Sequence, residues 1–128
     1  MREVLSSPNL PPPQFRYSAL IKAGPFYHTA GMISLDMASQ TFQAGSYEDE
    51  TRRILENLKL ALTDFGLSFE HLVSTKVYVT DLQQFSHVNK VWEEYFPQGV
   101  TPPTRTSIGV AALPLGAKVE MEFVLYKP

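Results

Sequence analysis

The chain has 128 residues, 44% of them hydrophobic and 19% charged, with a formal net charge of −2 and no cysteine. That length suits one domain, residues 1–128, and the composition is too apolar for a disordered chain. The charge offers no field to draw the protein onto nucleic acid or anionic membrane, and the absent thiols exclude disulfides, a cysteine nucleophile and every Cys-containing zinc site, that of the zinc nucleobase deaminases included.

Met1-Arg2-Glu3-Val4 lacks the apolar run of a signal peptide, and no stretch approaches the ~20 apolar residues of a membrane span, so cytoplasm is the expected compartment and no membrane partner is expected. Residues 6–13, SSPNLPPP, read as an extended lead-in. Phe15 to Ala23 and Phe26 to Ile33, broken by Gly24-Pro25, predict two strands joined by a tight turn. Ser46 ahead of Glu48, Asp49 and Glu50 places a capping hydroxyl and then negative charge at a helix start. Ile54, Leu58, Ala61, Leu62 and Phe65 then form one apolar stripe, and Gly66 supplies a left-handed stop.

Leu72 to Thr80 predicts a strand, with Val73, Thr75, Val77 and Val79 on one face. Asp81 and Gln84 have the spacing of a capping box for a second helix, whose stripe is Phe85, Val88, Val91, Trp92 and Tyr95 and which Pro97 to Pro103 ends. Two strands finish the chain, Thr104 to Val110 and Ala117 to Tyr126, around the turn Leu113-Pro114-Leu115-Gly116. The order β-β-α-β-α-β-β predicts an α+β fold, a mixed sheet with two helices on one face. In the last strand Val119, Met121, Phe123 and Leu125 can meet the helices. Val124 and Tyr126 then share the other face with Glu120 and Glu122, a mixture too apolar for free solvent that suggests subunit packing.

No P-loop, dinucleotide fingerprint, G-x-S-x-G elbow or H-E-x-x-H occurs, and His28, His71 and His87 do not have ligand spacing, so no metal is expected. Two other residues stand out. Pro102-Pro103 stiffens the chain just before Arg105, which is either a surface side chain or a fork for a planar anion. Glu120, in a mostly apolar run on the next strand, is either part of a solvated strand face or a working carboxylate, and spacing alone leaves both open.

Several stretches carry a resemblance over almost the entire chain: Tyr17-Ser18, A-G-M-I-S-L-D at 30–36, T-R-R-I-L-E-N-L-K at 51–59, K-V-Y-V-T-D-L at 76–82 and V-N-K-V-W-E-E-Y-F at 88–96. P-T-R-T at 103–106 and L-P-L-G-A-K-V-E-M-E at 113–122, in that order and separation, are the most specific. The sequence resembles the RidA/YjgF family of reactive-intermediate deaminases. The resemblance implies a fold like the trimeric chorismate mutases, a homotrimer whose three sheets form an inner barrel, with ligand clefts between subunits. It implies hydrolysis of 2-imino and 2-enamino acids to 2-keto acids and ammonia without a cofactor.

In that reading Arg105 pairs with the substrate carboxylate and Glu120 orients or activates water. Tyr17, Ala30, Gly31 and Ser107 complete the substrate site. Two positions depart from the family pattern: Ala30-Gly31 stands where Ser-Gly is common, removing one hydroxyl contact, and Ser107 stands where cysteine is frequent. The competing reading is a non-catalytic trimeric module that binds small carboxylates. A third, an RNA-cleaving or translation-inhibiting protein, finds no basic aromatic patch here.

Overall fold

The computed structural model describes residues 1–128. In chain order the elements are β1 (Arg2–Leu5), β2 (Leu20–Ala23), β3 (Phe26–Thr29), β4 (Leu35–Asp36), β5 (Thr41–Phe42), α1 (Tyr47–Thr63), β6 (Leu72–Val79), α2 (Phe85–Tyr95), β7 (Thr104–Gly109) and β8 (Val119–Tyr126). Six strands form one sheet in the order β1-β2-β3-β8-β6-β7, and β4 pairs only with β5. The β6–β7 pair is parallel, joined by the α2 crossover, and the other pairs are antiparallel, so the sheet is mixed as expected.

Both helices cover one face of this sheet. Ile54, Leu58, Ala61 and Leu62 of α1 and Val88, Val91 and Trp92 of α2 join Val77, Val79, Val119, Met121, Phe123 and Leu125 in one buried cluster. The start of α1 is held reciprocally: Ser46 Oγ accepts from the Asp49 amide at 3.0 Å while Asp49 Oδ2 accepts from the Ser46 amide at 3.2 Å. Its far end turns through Gly66 at φ 68°, a conformation that a side chain would strain.

The structure departs from several expectations. The first central strand starts at Leu20, not Phe15, and the residues before it are loop, with Phe15 84% exposed. Its partner ends at Thr29, after which Met32 makes a single bridge to Met121. Strands β1, β4 and β5 were not anticipated. Val73 is exposed, because a bulge between Leu72 and Ser74 resets the alternation and puts Leu72 into the core in its place. Asp81 and Gln84 form no capping box: Asp81 Oδ1 accepts from the Gln83 amide, and a 3₁₀ turn over Leu82–Gln84 leads into α2.

Glu50 is more than a charge near a helix start. It is fully buried, with Oε1 accepting from the Lys118 amide at 2.9 Å and Oε2 from the Gly45 amide at 3.4 Å, while the Lys118 ammonium lies 3.8 Å away. These bonds pin α1 to the chain just ahead of β8. Glu50→Ala should therefore destabilise the fold by about 2–4 kcal/mol in urea titrations, through an orphaned amide and a cavity, whereas Glu50→Gln keeps one acceptor and should cost less.

Candidate functional site

Side chains alternate along a strand, so register decides which candidates share a face. Arg105 is in register with Thr75, which is buried in the core, and Arg105 therefore points to the helix side. There its Cζ lies 5.0 Å from the ring centre of Phe85 and 5.0 Å from that of Trp92. The guanidinium makes no hydrogen bond or ion pair, and Nη1 is buried without a partner. Burial pulls its pKa below the ordinary value, and the charge of Glu93 pushes weakly the other way. Ser107, two residues on, faces the same side at the exposed sheet edge.

Glu120 lies on the opposite face. It is in register with Tyr78 of β6, between the buried residues Val119 and Met121. No hydrogen bond or ion pair engages its carboxylate, and burial, with a smaller contribution from the charge of Glu122, raises its pKa above the usual 4.5. The neighbouring Glu122 accepts a 2.5 Å hydrogen bond from the Tyr78 hydroxyl, which is pushed up to about 12 as a result. Only Glu120 of the two is left without a partner.

Gly31 lies against Glu120. A Cβ built at Gly31 would stand 2.8 Å from Glu120 Cδ and 3.0–3.1 Å from its two carboxylate oxygens, so the glycine is what lets backbone approach the carboxylate. The amides of Ala30 and Met32 bond to the carbonyls of Ala19 and Met121, while the Gly31 amide between them makes no backbone hydrogen bond. A carboxylate and an unused N–H thus sit side by side. The Ala30–Ala19 bond also brings the 17–19 segment, and with it the half-exposed Tyr17, alongside residue 30.

Of the six candidate residues, Arg105 and Ser107 lie on the helix side of the edge strand, Glu120 lies on the other face with Gly31 against it, and Ala30 and Tyr17 belong to the two segments joined by the Ala30–Ala19 bond beside Gly31. Within one chain the sheet separates the guanidinium from Glu120. No group of three His, Cys, Asp or Glu side chains is placed to hold a metal ion, and no helix is long and apolar enough to cross a membrane. A polar cleft of about 390 Å³ beside α1, lined by Ser34, Gln43, Asp49, Arg52 and Asn57 among others, contains none of the six. Sequence reasoning missed Phe85 and Trp92 as neighbours of Arg105, although both belong to the apolar stripe of the second helix.

The family model described as Endoribonuclease L-PSP matches residues 8–126. A RutC family protein of Pyrococcus horikoshii is 37% identical over 127 residues, covering 99% of each chain. The mouse protein named 2-iminobutanoate/2-iminopropanoate deaminase is 31% identical over 97% of this chain and 90% of its own. The crystal structure of E. coli TdcF with bound serine superposes with a TM-score of 0.89 at 28% identity, covering 98% of this chain and 99% of that one.

Proposed function

Since the chain belongs to the Endoribonuclease L-PSP family, the group also called RidA/YjgF, we propose that it hydrolyses 2-imino acids, and the 2-enamino acids that tautomerise to them, to 2-keto acids and ammonia. The observation that carries this reading is a pair of unengaged charges: an Arg105 guanidinium with a buried, unpartnered nitrogen, and a half-buried Glu120 carboxylate beside the free Gly31 amide. A guanidinium fork suits a substrate carboxylate, and a carboxylate of raised pKa suits a base acting on water. Water attacks C2 of the imine as Glu120 takes its proton and returns it to the nitrogen, and the carbinolamine then passes its hydroxyl proton to the amine as the C–N bond breaks, giving 2-keto acid and ammonia. The imine carbon is already electrophilic, so positioning and one base suffice.

Because the two charges lie on opposite faces of the sheet, a site that uses both is built from two chains. The uncovered face supports assembly. Val4, Phe26, Tyr126 and Ile108 are all at least 40% exposed on it, and β1 and β7 are free sheet edges. A homotrimer closing three such faces into a barrel covers them and brings Arg105 of one chain to Glu120 of the next. The deaminase name of the mouse relative and the serine bound to the E. coli structure agree with a small carboxylate substrate.

An RNA-cleaving role is the weaker reading. The chain is net negative, and Arg105, which could have stacked on a base, already has its aromatic neighbours within the chain. The test is ammonia release from imines generated in situ by an amino-acid oxidase, run on protein sized by light scattering. A trimer that accelerates release is expected. A monomer with native circular dichroism would remove the two-chain site, and a trimer that binds 2-keto acids without accelerating hydrolysis would leave a carboxylate-binding module.

A further inference from the structure

The stripe of α2 ends in two aromatic rings with a valine between them. Phe85 and Trp92 are seven residues apart, two helical turns or about 10 Å along the axis, and Val88 lies between them on the same side. Arg105 Cζ is 5.0 Å from both ring centres, so one guanidinium head contacts both rings at once. Trp92 is itself fixed in the core and packs on Phe96 with centroids 4.6 Å apart. A long side chain on an exposed edge strand is thereby held without a single hydrogen bond or counter-ion.

We infer that Phe85 and Trp92 are positioning residues for the proposed deaminase reaction, an aromatic notch that fixes the Arg105 guanidinium and leaves its hydrogen-bonding edge free for a substrate carboxylate. An acidic neighbour would hold the arginine equally well but would occupy the donors that the substrate needs. Ring faces attract the cation without using any N–H. They also exclude water from the head, which strengthens its pairing with an incoming anion. The notch accounts for the buried Nη1 with no partner, one of two such side-chain atoms in the fold, the other being Oγ1 of Thr75 beside it in register. It further predicts that ligands approach in the guanidinium plane, as a planar carboxylate does and a stacking base does not.

This inference rests on the reading of Arg105 as the carboxylate fork, and the experiment separates the two. The probe is 2-oxobutanoate, titrated calorimetrically into the assembled protein. Phe85→Leu should weaken its binding about three- to tenfold, with KM for imine rising similarly and kcat little altered, since the clamp acts on carboxylate capture and not on the water. Phe85→Tyr, which restores a ring face, should recover most of the loss, as a purely volumetric role would not require. Phe85→Met provides a second folded non-aromatic variant and should behave as Phe85→Leu does.

Unchanged affinity in the two non-aromatic variants, or equal weakening in Phe85→Tyr, would overturn the positioning role. Arg105→Ala is the control for the underlying reading. If it binds 2-oxobutanoate as the parent does, the carboxylate fork itself is wrong. If it abolishes binding while the Phe85 variants bind normally, only the notch is.

Discussion

Arg105→Ala is expected to lose detectable imine hydrolysis while keeping the fold. The guanidinium can offer a carboxylate two parallel charge-assisted hydrogen bonds, each worth roughly 1.5–3 kcal/mol, so removing one or two weakens carboxylate binding by about one to four orders of magnitude. Arg105→Lys should retain little activity, because an ammonium gives charge without the planar fork and loses most of the contact with the rings of Phe85 and Trp92.

Stability is a separate matter. Truncation forfeits two cation–π contacts, each worth about 0.5–2 kcal/mol. It also relieves a half-buried charge whose Nη1 has no partner. These effects oppose each other, and the melting temperature should shift by only a few degrees. The measurement is imine hydrolysis and thermal melting on the same preparation. Near-parental hydrolysis by a folded Arg105→Ala trimer would remove the carboxylate fork and, with it, the proposed mechanism.

How much of this was legible beforehand depends on what spacing can encode. The two helices and the last strand were readable, since their apolar periods are long and the caps at Ser46 and Gly66 bound the first helix. Strand β1 was hidden because it is an exposed edge with no apolar alternation, and β4 and β5 because two residues carry no period. Val73 was assigned to the wrong face for a different reason. A bulge changes parity at one residue, and β-branched composition is blind to it.

The candidate site shows the same limit at larger scale. Arg105 and Glu120 were both visible as charged residues among apolar ones, but which face each takes depends on the register of β7 and β8 against β6, a relation between distant segments. Only the registers put them on opposite sides, so that the proposed site, which uses both, takes two chains. Gly31 was readable as part of a motif, whereas its reason, a 2.8 Å approach to the Glu120 side chain, is purely three-dimensional. Phe85 and Trp92 were read as a buried stripe: Trp92 is in the core, and Phe85 is partly buried against it. A helical stripe says which side chains share a face and not what fills the notch between them.

Glu120→Gln should cut turnover much more than binding. The amide keeps the shape and one acceptor but cannot take a proton from water, and loss of a general base is worth about 10²–10⁴-fold in kcat, with KM little changed. The pH profile gives the more specific signature. Burial and the neighbouring Glu122 raise the Glu120 pKa above 4.5, so kcat/KM of the parent should fall on the acid side with a midpoint above that of an ordinary carboxylate. The residual rate of Glu120→Gln should lack that limb.

Stability should follow the same group with the opposite preference. A carboxyl whose folded pKa exceeds its unfolded value stabilises the fold in its protonated form, fully below about pH 4.5, and loses that contribution as the pH rises through the folded value. At neutral pH Glu120 therefore works against the fold, half-buried, charged and unpaired. Glu120→Gln should accordingly melt above the parent at pH 7, and the gap should narrow toward pH 4 as the parent becomes protonated. A variant that is inactive, more stable at pH 7 and without an acid limb assigns the base to Glu120. One that turns over like the parent reduces Glu120 to a surface carboxylate and requires another group to take the proton from water.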